Sequence, residues 1–83
     1  MRDAPAEPPA IHAPCAERAA VVAELARYKE TPAMRALTDG GQVIEIFASP
    51  GGTWTAVATR PDGTSCVLSV GTGVVGSGWG EGV

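Results

Sequence analysis

The chain is poor in the residues on which catalytic and nucleic-acid-binding sites most often depend. It has one histidine, two tryptophans, one tyrosine and one phenylalanine among 83 residues, and its formal net charge is −3 at pH 7. This acidic balance argues against nucleic acid or an anionic membrane surface as a partner, because both attract basic patches. No apolar run approaches the length that spans a bilayer, so membrane insertion is not expected.

The length allows at most one small domain, whose core supplies little surplus stability. Composition divides the chain into a Pro/Ala-rich leader at residues 1–14, an α+β domain at residues 15–71 and a glycine-rich tail at residues 72–83. The leader lacks the apolar stretch of a signal peptide, so either the protein is cytosolic or a signal has been removed. His12 has no neighbours at metal-ligand spacing and is interpreted as a solvated side chain.

The stretch CAERAAVVAELARYKE, Cys15 to Glu30, is rich in alanine and long straight side chains, which favours a helix that ends before Pro32. At about 100° per residue Cys15 falls on an apolar side. The other members of that side are Val21, Val22, Leu25 and Tyr28. Arg18 lies in the same arc, and we expect its stem to follow the rim of the sheet with the guanidinium in water. A functional role for Arg18 is the alternative.

The rest of the chain alternates apolar and polar residues and is interrupted by glycine turns at residues 39–41, 50–52 and 61–63. This pattern predicts an antiparallel meander of three to four strands, with the helix packed on one face. A type I turn followed by a left-handed glycine would fix the register at each connection. The expected pairs are Ala48 with Trp54, Ile46 with Ala56, Ile44 with Ala58, Trp54 with Val70, Ala56 with Leu68 and Ala58 with Cys66.

This register assigns the two faces of the sheet. The helix is expected to cover Ile44, Ile46, Trp54, Ala56, Ala58, Cys66, Leu68 and Val70. The opposite face then presents more apolar surface than solvation alone would select, and it predicts a contact face for a protein partner or a second copy at Val43, Phe47, Val57 and Val67. The alternative is that these residues serve strand propensity alone. Glu45, on the same face, is expected to form an exposed pair with Arg35, worth a fraction of a kcal/mol.

The two cysteines, Cys15 and Cys66, are directed towards each other by the helical and the strand periodicities. We therefore predict a disulfide, which closes a loop of about fifty residues and adds about 4 kcal/mol of stability. A disulfide also indicates an oxidising compartment, such as the periplasm or the extracellular space. The alternatives are two buried free thiols, or a reactive Cys15 at the helix N-terminus.

Around these cysteines the sequence resembles a family of small exported proteins that is common in alphaproteobacteria. The similarity covers about residues 15–71, and its most specific pieces are GTWT at residues 52–55 and PDGTSC at residues 61–66. Members usually begin with a signal peptide, so the resemblance implies export and a small α+β fold. It implies no activity, ligand or catalytic residue. The ending GTGVVGSGWGEGV differs from the short ending with glycine and tryptophan that is expected of the family.

Signals for catalysis or nucleotide binding are weak. Gly71, Gly73 and Gly76 spell G-x-G-x-x-G after a strand, but more glycines follow where a dinucleotide site needs a helix. Asp39 and Asp62 are more simply turn formers than an acid/base pair. The remaining large residues of the tail are interpreted as occasional contacts: Val74, Val75 and Trp79.

These observations predict a small exported, disulfide-stapled binding or accessory protein of the bacterial envelope, without catalysis, cofactor or metal. The alternative is a small structural subunit of a larger envelope or virion assembly. The expected location is periplasmic or extracellular, and the expected partner is a protein, or a second copy, held by the outer sheet face.

Overall fold

The computed structural model describes residues 14–73, which contain one helix and five strands. In chain order these are β1 (Cys15–Glu17), α1 (Arg18–Ala26), β2 (Thr31–Leu37), β3 (Val43–Ala48), β4 (Thr53–Thr59) and β5 (Thr64–Thr72). All strands pair antiparallel in one sheet, in the order β1-β5-β4-β3-β2. The predicted helix on an antiparallel sheet is confirmed, but the sheet has five strands rather than three to four.

The additional strand comes from the start of the predicted helix. Residues 15–17 pair with β5, so the helix begins at Arg18 and not at Cys15. Two hydrogen bonds fix this change of direction: the Val67 N–H donates to the Pro14 carbonyl at 2.6 Å, and the Arg18 N–H donates to the Gly63 carbonyl at 3.1 Å. Pairing with an open sheet edge therefore overrides the helix propensity of this short segment.

The helix also ends earlier than predicted, at Ala26 rather than Glu30. Lys29 adopts a left-handed conformation with φ of 64°. The Lys29 N–H donates to the Ala26 carbonyl at 2.9 Å, and the Glu30 N–H donates to the Leu25 carbonyl at 3.1 Å. These are the two bonds of a Schellman motif, which satisfies the last carbonyls of the helix and turns the chain into β2.

The register between β3 and β4 is the predicted one, since Ala48 pairs with Trp54. The other two predicted pairs are also present, Ile46 with Ala56 and Ile44 with Ala58. The connecting turn has the expected form, because Gly52 has φ of 100° and its N–H donates to the Ser49 carbonyl at 3.0 Å. A residue with a side chain is strained at that φ, so this glycine fixes the pairing of the two strands.

Between β4 and β5 the prediction holds only at one end of the ladder. Ala58 pairs with Cys66 as expected, but a register shift beyond Val57 removes the predicted pairs Ala56 with Leu68 and Trp54 with Val70. Ala56 pairs with Ser69 and Trp54 with Gly71. The shift places the tryptophan opposite a residue without a side chain. A Cβ on Gly71 would lie 2.7 Å from Cζ2 of the Trp54 indole, so the bulge gives the ring the room it occupies.

The helix covers the opposite sheet face from the one predicted. Val21 and Leu25 of α1 pack with Phe47 and Val57, which are 0% and 1% exposed. Val67 packs against this cluster and Val43 is half-buried. The prediction of a free contact face at Val43, Phe47, Val57 and Val67 is therefore wrong, because this face forms the core. Within residues 14–73, no helix has the length and apolar character needed to cross a membrane.

Candidate functional site

With the helix on the inner face, the outer face of the sheet carries a continuous apolar surface. Strand alternation places on it Met34, Ala36, Ile44, Ile46, Ala48, Trp54, Ala56 and Ala58. We call this set the uncovered face, since the only helix of the described residues lies on the other side of the sheet. None of these side chains is charged. The set contains most of the residues that the sequence had assigned to the core.

The central strand makes the middle of the uncovered face flat. Ala56 and Ala58 of β4 have small side chains, Ala58 being only 8% exposed, and they pair with Ile46 and Ile44 of β3. Met34, on the neighbouring β2, is 42% exposed. A flat apolar surface with larger side chains along its border suits contact with another apolar surface better than contact with a small polar ligand.

The predicted disulfide between Cys15 and Cys66 is present, and both cysteines of the chain are in it. The two Cα atoms lie directly opposite each other, 3.9 Å apart, in the β1–β5 ladder. The expected geometry was wrong, because the bond joins neighbouring strands beside the uncovered face and does not join the helix to the sheet. The alternatives of buried free thiols or a reactive thiol at a helix N-terminus do not apply to this oxidised form.

The disulfide lies next to a cation. Arg60, in the turn between β4 and β5, places Nη2 at 3.4 Å from Sγ of Cys66 and is itself exposed. Cys15 is exposed and Cys66 is half-buried. No sequence-based prediction connected Arg60 with this bond. The signal available was the three-residue turn, which brings residue 60 beside the strand that carries Cys66.

The inner face contains a buried carboxylate that two arginines share. Glu45 is 0% exposed, and its oxygens accept from Nε and Nη2 of Arg18 at 3.1 and 2.7 Å and from Nη2 of Arg35 at 3.0 Å. The Arg18 hydrogen bond, more than the one from Arg35, holds the pKa of Glu45 below its usual range against the effect of burial. The same contact raises the pKa of Arg18. The predicted pairing with Arg35 is confirmed, but its expected exposure is wrong.

Three buried side-chain oxygens of the described residues have no hydrogen-bond partner. Glu30 is 2% exposed and neither of its carboxylate oxygens is bonded, and the same holds for Oγ1 of Thr55. An unpartnered buried carboxylate is costly, because it loses its hydration without compensation. Nothing in the sequence marks Glu30 as buried, and the helix prediction only placed it at the last residue of the helix.

The remaining predicted residues lie in turns or beyond the described range. Asp62 is the turn former expected, since its Oδ1 accepts from the Thr64 N–H at 2.8 Å, and this bond lowers the pKa of the carboxyl group. Gly71 belongs to β5. Residues 14–73 contain no group of three or more histidine, cysteine or acidic side chains that could hold a metal ion. Of the residues that the sequence analysis singled out, five lie outside the described range: His12, Val74, Val75, Gly76 and Trp79.

Comparison with known proteins gives no family assignment: no family model, curated protein or solved structure matches the chain. Two features of the described residues are candidates for a function: the uncovered face and the disulfide beside it.

Proposed function

We propose that this protein is a small exported binding or accessory protein of the bacterial envelope, which holds a protein partner against the uncovered face and performs no catalysis. The observation that supports this most directly is that the sheet face not covered by the helix is apolar and carries no charged side chain. A sheet with one face in water normally alternates apolar residues inside with polar residues outside.

The dimensions of the uncovered face fit a protein contact. Strands about 4.8 Å apart and roughly 20 Å long give about 300 Å² over β2, β3 and β4. That is comparable with the largest apolar patch of a typical monomer, and such patches are often functional. The chemistry of the partner follows from the side chains. It should present an apolar surface with little charge, because a charged group of the partner that packs against Ile44, Ile46 or Trp54 would lose its hydration and gain no ion pair.

The disulfide supports the proposed location. Disulfides persist in oxidising compartments, and the periplasm and the extracellular space both meet that condition. The bond closes a loop with a sequence separation of 51. In the chain-entropy model such a loop contributes about 4 kcal/mol, which is a large share of the stability of so small a domain.

The test is retention of a partner by tagged wild-type protein from native envelope extract, compared with two matched variants. Met34→Glu and Leu37→Glu both place a carboxylate on β2 at an exposed position, since the two residues are 42% and 74% exposed. Met34 pairs with Ile46 on the uncovered face, whereas Leu37 pairs with Val43 on the helix side. We expect Met34→Glu to lose the partner and Leu37→Glu to keep it, with both variants folded by circular dichroism.

The retained protein is then purified and titrated against the same three chains. An affinity that falls at least tenfold for Met34→Glu alone supports the proposal. Retention of nothing by the wild type, or equal binding by both variants, contradicts it. A stoichiometric complex of several copies would instead favour the alternative, a structural subunit of a larger envelope or virion assembly.

A further inference from the structure

The disulfide has a chemical asymmetry that the proposed function does not use. Cys15 belongs to a three-residue strand at the edge of the sheet and is exposed, whereas Cys66 is half-buried between β1 and β4. A nucleophile from solvent therefore reaches the sulfur of Cys15 more readily than that of Cys66. The exposed end of the bond is therefore attached to the shortest strand of the sheet.

Arg60 reinforces this asymmetry. The turn fixes its backbone, since the Arg60 N–H donates to the Thr64 carbonyl at 2.8 Å and its own carbonyl accepts from the Gly63 N–H at 2.9 Å. Its guanidinium Nη2 lies 3.4 Å from Sγ of Cys66. A cation at that distance stabilises the negative charge that develops when this sulfur leaves as a thiolate.

We propose that the Cys15–Cys66 bond is a thiol–disulfide exchange site, at which the thiolate of an external thiol attacks Sγ of Cys15 and Cys66 leaves beside Arg60. A bond forms between the external sulfur and Cys15, the original S–S bond breaks, and its electron pair remains on Cys66. With a dithiol, the second thiolate then attacks the first sulfur of the reagent and releases Cys15. The dithiol becomes a disulfide, and the two protein sulfurs accept two electrons.

Cleavage has a structural consequence because β1 has few other attachments. Its ladder with β5 covers only three residue pairs, Cys15 to Cys66, Ala16 to Ser65 and Glu17 to Thr64. Helix α1 follows without a connecting loop, and its first residue, Arg18, is the one that binds Glu45. Reduction therefore loosens the edge strand together with the start of the helix that covers the core.

The experiment treats the folded, oxidised protein with glutathione, quenches the reaction with acid and locates the adduct by peptide mass spectrometry. We expect the adduct on Cys15 and a free thiol at Cys66. A unit charge 3.4 Å away in water-like surroundings changes thiolate stability roughly tenfold. With a Brønsted slope of about 0.5, Arg60→Gln should then lower the rate of exchange about threefold.

Two controls separate this mechanism from its alternatives. Arg27→Gln makes the same change in net charge on the exposed side of the helix, where Arg27 pairs with Glu24, and should leave the rate unchanged. The rate should also be insensitive to urea below the unfolding transition, because the folded state is the reacting species. An adduct mainly on Cys66, equal rates for the two arginine variants, or a rate that rises steeply with urea would each overturn the proposal.

Discussion

Removing the charge of Glu45 should destabilise the fold more than breaking an exposed ion pair would. The substitution Glu45→Gln keeps the shape of the side chain and one acceptor oxygen, but it removes the anion that Arg18 and Arg35 share. The carboxylate is fully buried at the point where α1 starts to cover the sheet. Its charge is therefore part of what holds the first turn of the helix over the core.

The magnitude follows from the exposure of the three partners. Breaking a buried ion pair by removing one partner costs about 3–5 kcal/mol, because the other charge is left buried. Here the arginine side chains are 37% and 63% exposed, so water replaces part of what they lose. We therefore expect about 2–3 kcal/mol. For a domain of this size that lowers the melting temperature by roughly 10–20 °C.

The assay is urea unfolding followed by circular dichroism between pH 7 and pH 2. Because the pKa of Glu45 is lowered in the folded protein, its contribution to stability is fully present above the pKa of a glutamate in the unfolded chain, about 4.3. It is lost as the pH falls through the folded value. The wild type should therefore lose stability on acidification more steeply than Glu45→Gln. Glu24→Gln, which removes a carboxylate that pairs with Arg27 on the helix surface, serves as the matched control.

Either of two results would contradict this role of Glu45. A loss below about 0.5 kcal/mol for Glu45→Gln would mean that the network contributes no more than a surface pair. A pH dependence identical to that of the wild type would mean that another carboxyl group carries the acid sensitivity.

Three further substitutions test other parts of the structure by thermal and urea unfolding. Gly71→Ala should cost about 1–3 kcal/mol and change the indole fluorescence, because the new methyl group meets the ring of Trp54; unchanged fluorescence would contradict this contact. Glu30→Leu should stabilise the fold by about 1–3 kcal/mol, since it removes two unpartnered buried oxygens; a loss of stability would show that the carboxylate has a partner. Cys15→Ala and Cys66→Ala should each lower stability by about 4 kcal/mol, and unequal losses would indicate a separate role for one sulfur.

Local features of the sequence were sufficient for the pairing of β3 with β4. The Pro-Gly-Gly turn at residues 50–52 allows only a few connections. A type I turn that ends in a left-handed glycine was predicted from Gly52, and this connection determines every pair in that ladder. The pairing of β4 with β5 was only partly predictable. Its bulge depends on how the Trp54 indole fits against Gly71, which is a tertiary contact that strand alternation does not contain.

The edge strand β1 illustrates a different limit. The residues Cys15–Glu17 continue a stretch of good helix formers, so propensity extends the helix back to Cys15. The open edge of β5 offers the same residues a ladder, and a bond between Cys15 and Cys66 holds them there. The helix propensity of three residues contributes less free energy than the disulfide and the backbone hydrogen bonds of the ladder, so the segment forms a strand.

The inverted face assignment has a single physical cause, and it determines where function is sought. Both faces of the sheet are apolar enough to serve as a core, so alternation alone cannot choose between Ile44 with Ile46 and Phe47 with Val57. The sequence contains one discriminating signal that is electrostatic. Arg18 lies on the apolar side of the helix, and Glu45 is the only acidic residue inside the four strands β2, β3, β4 and β5.

Taken separately, each of these charged residues is readily assigned to solvent. Arg18 has a long stem that can reach water, and the predicted register placed Glu45 opposite Arg35 on a face expected to be exposed. Taken together, they are opposite charges on the two surfaces that have to meet, and one ion pair removes both anomalies. That pairing places α1 over Phe47 and Val57. It leaves the uncovered face on the same side of the sheet as Cys66, and for this reason the proposed partner surface and the proposed exchange site are neighbours in the fold.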